Sequence, residues 1–245
     1  MASLAQYAEL RCVSNFTFLR GASQPEELVA RAKQLGYAAL AVADECSMAG
    51  IVRAHVAAKE HGLKLLLGAQ FLVDWDATSS TSTTPFVLTV LACNLNGYGN
   101  LCQFITKLRR SSEKGTYRLD ISNITGAELE ECVVLASPKR MCEPAQLDSV
   151  AQWLLDHFLG RCWFGVDLLR LLDDEMWLHR LRQVSESSAI PLVAAGDVHF
   201  HVRSRKPLQD VLTATRVGKP LTECGLDLQP NAERHLRTRL RLAQT

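Results

Sequence analysis

Three side chains that can bind metal ions stand at alternate positions late in the chain. Asp197, His199 and His201 lie in the stretch LVAAGDVHFHVRSRKPLQDVL, after a run of small and apolar residues. Carboxylate and imidazole groups together suit Zn²⁺, Mn²⁺ or Fe²⁺. Alternate residues of an extended segment face one side, so we expect the three side chains to lie together. The stretch indicates either a metal site or an aspartate and a histidine that hydrogen-bond at the end of a strand.

Polar side chains also mark the ends of other apolar runs. Asp44 and Glu45 close the run YAALAVAD, Gln70 lies in LKLLLGAQFLV, and Asp167 follows RCWFGV. The reactive groups of an α/β barrel gather at the rim where its strands end. Further motifs do not indicate other chemistry, because no G-x-S-x-G is present and GYGNLCQFI lacks the features of a P-loop. For the stretch GYGNLCQFI we predict a turn and then the start of a helix. The residues that indicate this are Gly97, Gly99 and Asn100.

The elements that would position these residues repeat as an apolar run followed by a helix-like segment. Runs that are apolar throughout are typical of strands buried on both faces. About seven such β/α units can be counted along the chain, which favours a seven- or eight-stranded α/β barrel, with a doubly wound open sheet as the alternative. Ser23 and Glu26 are predicted to form a capping box before the first helix, and Gly62 to end the second.

The composition restricts the class of protein. Of the 245 residues, 47% are hydrophobic, and the formal net charge is +1, so the total charge favours neither nucleic acid nor acidic ligands as partners. The eight cysteines form no C-x-x-C pair, which predicts mostly buried, reduced thiols of a cytosolic protein. We see no signal peptide and no apolar run that could span a membrane. Residues 74–85 are predicted to form a flexible loop, and the tail reads as part of a longer chain.

Two stretches resemble a known family. They contain SNFTFLRGAS, Ser14 to Ser23, and GDVHFHVRSRKPLQDVLTA, Gly196 to Ala214. Both are similar to the polymerase-and-histidinol-phosphatase (PHP) domain of bacterial C-family DNA polymerases, and most of all to the error-prone paralogue of the DNA polymerase III α subunit. The resemblance implies one domain over residues 1–245, a distorted seven-stranded TIM-like barrel of the PHP type. Residues from about 220 to 245 would begin the linker to a polymerase core.

The resemblance also implies a metal centre, from which this sequence departs. In metal-competent members up to three ions at the rim activate water to cleave phosphoesters, and some support 3′–5′ proofreading. Arg11 and Val13 occupy the positions of the family's His-x-His motif. Arg20 replaces a carboxylate or histidine, Gln70 a glutamate, and Pro138 a cysteine or histidine. Three residues clearly match the family's ligand positions: Asp44, Asp197 and His199. Glu45 is a possible substitute for a fourth ligand.

These departures oppose metal binding. Valine has no ligand atom, and the guanidinium of arginine stays protonated and repels cations. We hypothesise that Arg11 or Arg20 replaces the metal as counter-ion and forms bidentate pairs with Asp44 or Asp197; alternatively both arginines point to solvent. The remaining metal option is one weakly held Zn²⁺ or Mn²⁺ ion on three residues: Glu45, Asp197 and His199.

Three functions follow as alternatives. The resemblance implies first a structural and interaction domain without proofreading, which braces the core of a translesion polymerase in the bacterial cytoplasm. That core would hold Mg²⁺ and work with DNA, a sliding clamp and mutagenesis accessory proteins. This chain has no P-D-x-D pair, so we expect no polymerase activity from it. The second function is a metal-dependent phosphoesterase or 3′–5′ exonuclease, which would lose activity on substitution of Asp197 or His199.

The third function is a DNA-contacting surface. Arg203, Arg205 and Lys206 form a basic cluster, and such clusters bind phosphate groups. The plainer interpretation is a solvated helix face, given the neutral total charge. Further arginines of the tail belong to the same hypothesis: Arg234, Arg237, Arg239 and Arg241.

Overall fold

The computed structural model describes residues 5–75, 86–140 and 142–245 of a chain in which strands and helices alternate. The helices are α1 (Pro25–Gln34), α2 (Ile51–His61), α3 (Leu95–Arg110), α4 (Pro144–Phe158), α5 (Asp174–Ser188), α6 (Lys206–Val217) and α7 (Arg239–Ala243). The strands are β1 (Ala8–Glu9), β2 (Ala39–Glu45), β3 (Lys64–Asp74), β4 (Phe86–Ala92), β5 (Leu119–Asp120), β6 (Cys132–Pro138), β7 (Cys162–Val166) and β8 (Leu192–Ala194).

The predicted fold class is confirmed. The structure is α/β, with a nearly closed barrel of seven strands in the order β1-β2-β3-β4-β6-β7-β8, and β5 pairs with β3 beside this path. One feature departs from a regular β/α repeat, because β4 is antiparallel to both β3 and β6. Between Asp74 and Phe86 there are 11 residues. Parallel strands need a crossover of about a dozen residues or more, whereas antiparallel neighbours can be joined directly.

Local sequence signals explain where the helices begin and end. Gly62 ends α2 in the left-handed conformation at φ 61°, as predicted. The capping box at α1 lies one residue later than predicted. Gln24 is the N-cap, and its backbone N–H donates to Glu27 Oε2 at 2.9 Å, because Pro25 fixes the first helical position. Ser23, predicted as the cap, instead bonds a histidine of the later chain, described below.

The glycine-containing stretch is helical from its start. Helix α3 begins at Leu95, and the Asn94 side chain accepts a hydrogen bond from Gly97 N, so Gly97, Gly99 and Asn100 lie within the helix. The predicted turn at these residues was therefore wrong, although the predicted helix is present. Gly97 packs so closely that a Cβ atom there would lie 2.2 Å from the carbonyl oxygen of Glu131, which explains why this position of the helix needs glycine.

Contacts divide the chain into two compact units. The first unit comprises residues 1–66, 168–170 and 195–245, and the second comprises residues 67–167 and 171–194. Each has its own apolar core. Fully or nearly fully buried side chains of the first are Leu28, Leu40, Phe200 and Leu236, and those of the second are Phe71, Phe86, Phe164 and Trp177.

Several smaller expectations can be compared with the structure. All eight cysteines are free and six are buried, which confirms the predicted thiols. Ten residues of the predicted loop, 76–85, lie outside the described residues. None of the helices in the described ranges has the length and apolar character needed to cross a membrane. Residues 220–245 include the buried side chains of Leu236 and Arg237; their role as the start of a linker, and the single domain over residues 1–245, stay predictions.

A buried carboxylate joins the first strand to the segment that follows β8. Glu9 is 1% exposed, and its Oε1 accepts hydrogen bonds from Arg11 N at 3.0 Å and Gly196 N at 2.7 Å. Its Oε2 accepts from the Tyr7 hydroxyl at 2.8 Å. Burial raises the pKa of Glu9 above its ordinary value, although these hydrogen bonds act in the opposite direction.

We expect the Glu9→Gln variant to change how stability depends on pH. Because the folded pKa is raised, the contribution of Glu9 to stability is complete below its ordinary pKa and is lost as the pH rises through the folded pKa. Glutamine keeps the shape without the charge, so the variant should gain stability relative to the natural protein between pH 4 and pH 8. Urea unfolding at pH 4 and at pH 8 measures the difference in free energy of unfolding between the variant and the natural protein, with Glu60→Gln, at an exposed residue, as control. The same difference in stability at the two pH values would contradict the prediction.

Candidate functional site

Two extended segments lie side by side and place Arg11 next to Asp197. Cys12 and Val198 form a parallel bridge. Val198 N donates to the carbonyl of Arg11 at 2.9 Å, and Val13 N donates to the carbonyl of Val198 at 2.9 Å. This register brings together residues that are far apart in the sequence. It is the backbone basis of the site.

Asp197 is buried between two arginines. Arg11 Nη2 lies 3.1 Å from Asp197 Oδ1, and the two side chains are 9% and 6% exposed. Arg234 Nη1 pairs with the other carboxylate oxygen, Oδ2. The pairing of Arg11 with Asp197 predicted from the sequence is therefore confirmed, while a second hydrogen bond from Arg11 stays a prediction. Buried arginine–carboxylate pairs are strong when each charge has a partner.

No sequence pattern indicated Arg234 as a partner of Asp197. The structure places it there because Phe200 and His235 form a parallel bridge, and His199 N donates to the carbonyl of Arg234 at 2.9 Å. The tail thus lies against the segment that follows Asp197. In the sequence, only the high density of arginine in the tail stood out, and it suggested DNA contacts.

Asp44 is held by hydroxyl groups and a backbone amide. Ser14 N and Thr17 Oγ1 each donate to Asp44 Oδ1 at 2.7 Å, and Ser14 Oγ donates to Oδ2 at 2.7 Å. The side chain is almost fully buried, and burial raises its pKa while the hydrogen bonds from Thr17 and Ser14 lower it. An ion pair of Asp44 with arginine, one of the predicted alternatives, is therefore wrong for the described residues. The short turn after residue 13 supplies the donors instead.

Arg20 neutralises a different carboxylate. Its Nε lies 3.0 Å from Glu45 Oε2, with side chains that are 42% and 23% exposed. The predicted pairing of Arg20 with Asp44 or Asp197 was wrong, because the residue after Asp44 takes this guanidinium. Solvent screens such a half-exposed pair, so its contribution to stability is small.

The two histidines of the D-x-H-x-H stretch are separated. His199 Nε2 lies 3.4 Å from Asp197 Oδ1. His201 Nδ1 instead lies 2.7 Å from Ser23 Oγ and 3.9 Å from Glu27 Oε2. Asp197 has a φ of 45°, so the stretch is not the regular extended segment that alternation requires. The expectation that all three side chains lie together was wrong for His201.

His199 is uncharged at neutral pH. Burial is the largest cause that lowers its pKa to about 3, and the positive charges of Arg11 and Arg20 add to the effect. Its Nδ1 is buried without a hydrogen-bond partner among the described residues. A neutral imidazole next to guanidinium groups cannot add positive charge to the site.

The residues present do not fit the predicted metal centre. Both oxygens of Asp197 face arginines, Asp44 accepts three hydrogen bonds, and Glu45 pairs with Arg20. Across residues 5–75, 86–140 and 142–245, no group of three or more His, Cys, Asp and Glu side chains could hold a metal ion. Val13, at the position of a second histidine, is 1% exposed and apolar. The carboxylates of this site join segments that are distant in the sequence.

The other residues singled out in the sequence have separate roles. Gln70 is buried on β3 opposite Thr89 of β4, in the second unit. Pro138 ends β6. The carbonyl of Asp167 accepts a hydrogen bond from Arg140 at 2.6 Å, and its side chain has no assigned role.

The basic residues proposed to contact DNA contact acidic side chains or backbone carbonyls. Arg203 Nη1 lies 3.0 Å from Glu233 Oε1, Arg205 pairs with Glu27, and Lys206 pairs with Asp210. In the tail, the buried Arg237 donates to the carbonyl of Leu168, Arg239 donates to that of Ala5, and Arg241 pairs with Glu233. DNA contact by these residues stays a prediction.

Comparison with known proteins gives consistent relatives. The family model of the PHP domain matches residues 9–156. An error-prone DNA polymerase of Dechloromonas aromatica is 48% identical over 246 residues, which cover 99% of this chain and 23% of the relative. The corresponding enzyme of Methylococcus capsulatus is also 48% identical, over 95% of this chain and 21% of its own length. The chain therefore spans less than a quarter of the length of these curated relatives.

Solved structures share the fold at low sequence identity. A candidate metal-dependent phosphoesterase from Bifidobacterium adolescentis matches with a TM-score of 0.58 and 17% identity, over 80% of this chain and 88% of the other. An amidohydrolase from Chromobacterium violaceum, solved with sulfate and without metal, matches with a TM-score of 0.59 and 13% identity, over 78% and 87%. These similarities concern the fold alone.

The hydroxyl of Thr17 should matter for stability. We expect Thr17→Val to lower the free energy of unfolding by about 2 kcal/mol, because it removes the hydrogen bond donated to the buried Asp44 and the one accepted from Glu45 N, with little change of shape. The control is Thr215→Val, which removes an exposed hydroxyl bonded to the carbonyl of Val211. Urea unfolding at pH 7 measures both. Equal losses in the two variants would show that Asp44 does not depend on this donor.

The charge of Arg11 should be visible in the titration of His199. We expect Arg11→Met to raise the pKa of His199 from about 3, but not to its ordinary value, because burial is the larger cause. ¹⁵N NMR titration of the imidazole measures the change.

The comparison for this titration is Arg53→Met, which removes an arginine paired with Glu26 and should leave the pKa of His199 unaffected.

In the natural protein, a folded pKa of His199 below 6.5 means that its contribution to stability is complete above pH 6.5 and falls as the pH is lowered towards 3. An imidazole that titrates between pH 6 and 7 would disprove the neutral state.

Proposed function

The chain belongs to the PHP domain family, and from this we propose that it is a metal-free PHP domain of an error-prone DNA polymerase. In this role it braces the polymerase core of a longer chain and has no hydrolytic activity. The relatives that match nearly the whole of this chain are named as error-prone DNA polymerases. The part of each relative outside the match is more than three quarters of its length, which leaves room for the core.

The observation that carries the proposal is the double ion pair of Asp197. A metal at this carboxylate would need to displace two guanidinium groups, Arg11 and Arg234, that are already within contact distance. Their positive charges repel a cation, and each one still faces Asp197 when the other is displaced. The ion pairs thus supply the positive charge that a metal would otherwise bring. A domain without bound metal cannot activate water for phosphoester cleavage by the metal route.

Loss of proofreading suits an error-prone enzyme. We propose that the parent protein copies damaged template, as in translesion synthesis during the SOS response, with Mg²⁺ held in its separate core. A sliding clamp and mutagenesis accessory proteins are the partners that this role requires. It takes place in the bacterial cytoplasm, where chromosomal DNA is located.

The alternative function is a metal-dependent phosphoesterase or 3′–5′ exonuclease. It requires Glu45, Asp197 and His199 to hold at least one ion together. Asp197 and His199 are indeed close, with 3.4 Å between Oδ1 and Nε2. The alternative therefore depends on whether an ion can displace the arginines.

Metal content decides between these functions. After incubation with Zn²⁺ and Mn²⁺ and desalting, we expect well under one ion per chain by mass spectrometry, and no hydrolysis of a phosphodiester such as bis-p-nitrophenyl phosphate. A control variant, Asp210→Ala, removes a carboxylate outside the site. Two or three ions per chain would overturn the proposal. One ion that is lost in Asp197→Ala and retained in Asp210→Ala would establish the alternative site.

A further inference from the structure

Positive charge is concentrated in the first unit. Residues 1–66, 168–170 and 195–245 contain 17 lysine and arginine residues against 11 aspartate and glutamate residues, a formal charge of +6. The second unit contains 10 basic and 15 acidic residues, a formal charge of −5. The net charge of +1 for the whole chain conceals this difference. A strongly positive unit favours a polyanionic partner even when the complete chain is nearly neutral.

One cluster of the first unit has more positive charge than its acid can neutralise. Glu233 is almost fully buried, and three arginines converge on its carboxylate. Arg241 Nη2 lies 2.7 Å and Arg203 Nη1 3.0 Å from Oε1, and Arg170 Nε lies 4.0 Å from Oε2. We call these four residues the Glu233 cluster. Three positive charges against one negative charge leave an excess of two.

The arginines of the Glu233 cluster remain accessible to a partner. Their side chains are 47%, 57% and 31% exposed for Arg170, Arg203 and Arg241, while the carboxylate is 3% exposed. The buried carboxylate accepts hydrogen bonds from Arg203 and Arg241 at Oε1, which order these two side chains, and Arg170 lies 4.0 Å from Oε2. Side chains that are ordered before binding lose less conformational entropy when a ligand arrives.

Hydrogen bonds to the backbone fix the segments that carry the cluster. Glu233 N donates to Asn231 Oδ1 at 2.9 Å, and Asn231 Nδ2 donates to the carbonyl of Leu169 at 2.7 Å. Arg237 Nη1 donates to the carbonyl of Leu168 at 2.8 Å. These bonds tie the chain next to Arg170 to the turn that carries Glu233. The spacing of the charges is therefore set by the fold.

Two neighbouring surface cations of the first unit lack this excess. Arg205 and Lys206, which stood beside Arg203 in the sequence, are each paired with one acid, Glu27 and Asp210. Only Arg203, of the three, belongs to a cluster with surplus charge. The basic stretch in the sequence therefore shares only Arg203 with the Glu233 cluster, and the other two arginines of the cluster come from elsewhere in the chain.

We propose that Arg170, Arg203 and Arg241 bind the backbone phosphates of duplex DNA. Guanidinium groups form charge-assisted, often bidentate hydrogen bonds with phosphate oxygens, and duplex DNA presents one negative charge per about 1.7 Å of its axis. Such contacts read no base sequence, because they reach only the backbone. The choice of DNA among polyanions rests on the proposed function in a DNA polymerase.

The test measures binding to a fluorescein-labelled 20-base-pair duplex by anisotropy, over a range of salt concentrations and without added metal. We expect the natural protein to bind more weakly as salt increases. The double variant Arg170→Gln/Arg203→Gln should bind about tenfold or more weakly, with a slope of log K against log salt that is smaller by about two. Arg170→Lys/Arg203→Lys should retain most of the affinity because it keeps the charges.

A matched control removes two cations from elsewhere in the first unit. Arg53 and Lys219 are 48% and 50% exposed, and each pairs with one acid. The variant Arg53→Gln/Lys219→Gln should keep its affinity within about twofold and lose little of the salt dependence. Circular dichroism and thermal unfolding establish that each variant is folded.

Three outcomes would overturn the proposal. They are a natural protein that does not bind the duplex even at low salt, a double glutamine variant with unchanged affinity and slope, and equal losses in the matched control. In the first case, binding of polyglutamate instead of DNA would indicate an acidic protein partner. Metal content is measured separately. Absence of DNA binding would therefore leave the proposed metal-free function intact, and binding of metal would leave the DNA-binding result intact.

Discussion

The arrangement of the site depends on the need of a buried aspartate for positive charge. Asp197 lies in a segment with almost no access to water, and an ionised carboxylate in such surroundings is costly unless it is paired. Arg11 comes from the start of the chain and Arg234 from its end. The two ion pairs therefore hold three distant segments together. Without them, the parallel contacts on both sides of Asp197 would enclose an uncompensated charge.

Much of the fold follows from local patterns, while the partners in the site do not. Continuous apolar runs predicted most strands, and Gly62 marked the end of α2 correctly. The pairing of Arg11 with Asp197 followed from the family resemblance, which places Arg11 at a metal-ligand position of the rim that also contains Asp197, and from their opposite charges. Arg234 could not be found in this way, because a bridge between residues 35 positions apart brings it there. The hydroxyl donors to Asp44 were equally invisible, since serine and threonine occur in most turns.

Backbone geometry explains the main error in the site. Alternation along the D-x-H-x-H stretch assumed a regular strand, but Asp197 adopts a left-handed conformation at φ 45°. A residue other than glycine in this conformation is uncommon, and the neighbouring sequence does not predict it. The direction of His201 therefore could not be derived. Its contact with Ser23 also explains why that serine is not the helix cap.

The double ion pair also limits how the chain can evolve. A single substitution of Arg11 by a metal ligand would leave Arg234 at the carboxylate, and the remaining cation would still oppose a metal. Replacement of Arg234 alone meets the same obstacle from Arg11. Each single substitution would remove one of the two buried ion pairs of Asp197 without making room for a metal. With both arginines in place, a metal ligand at Asp197 would require two substitutions together rather than one.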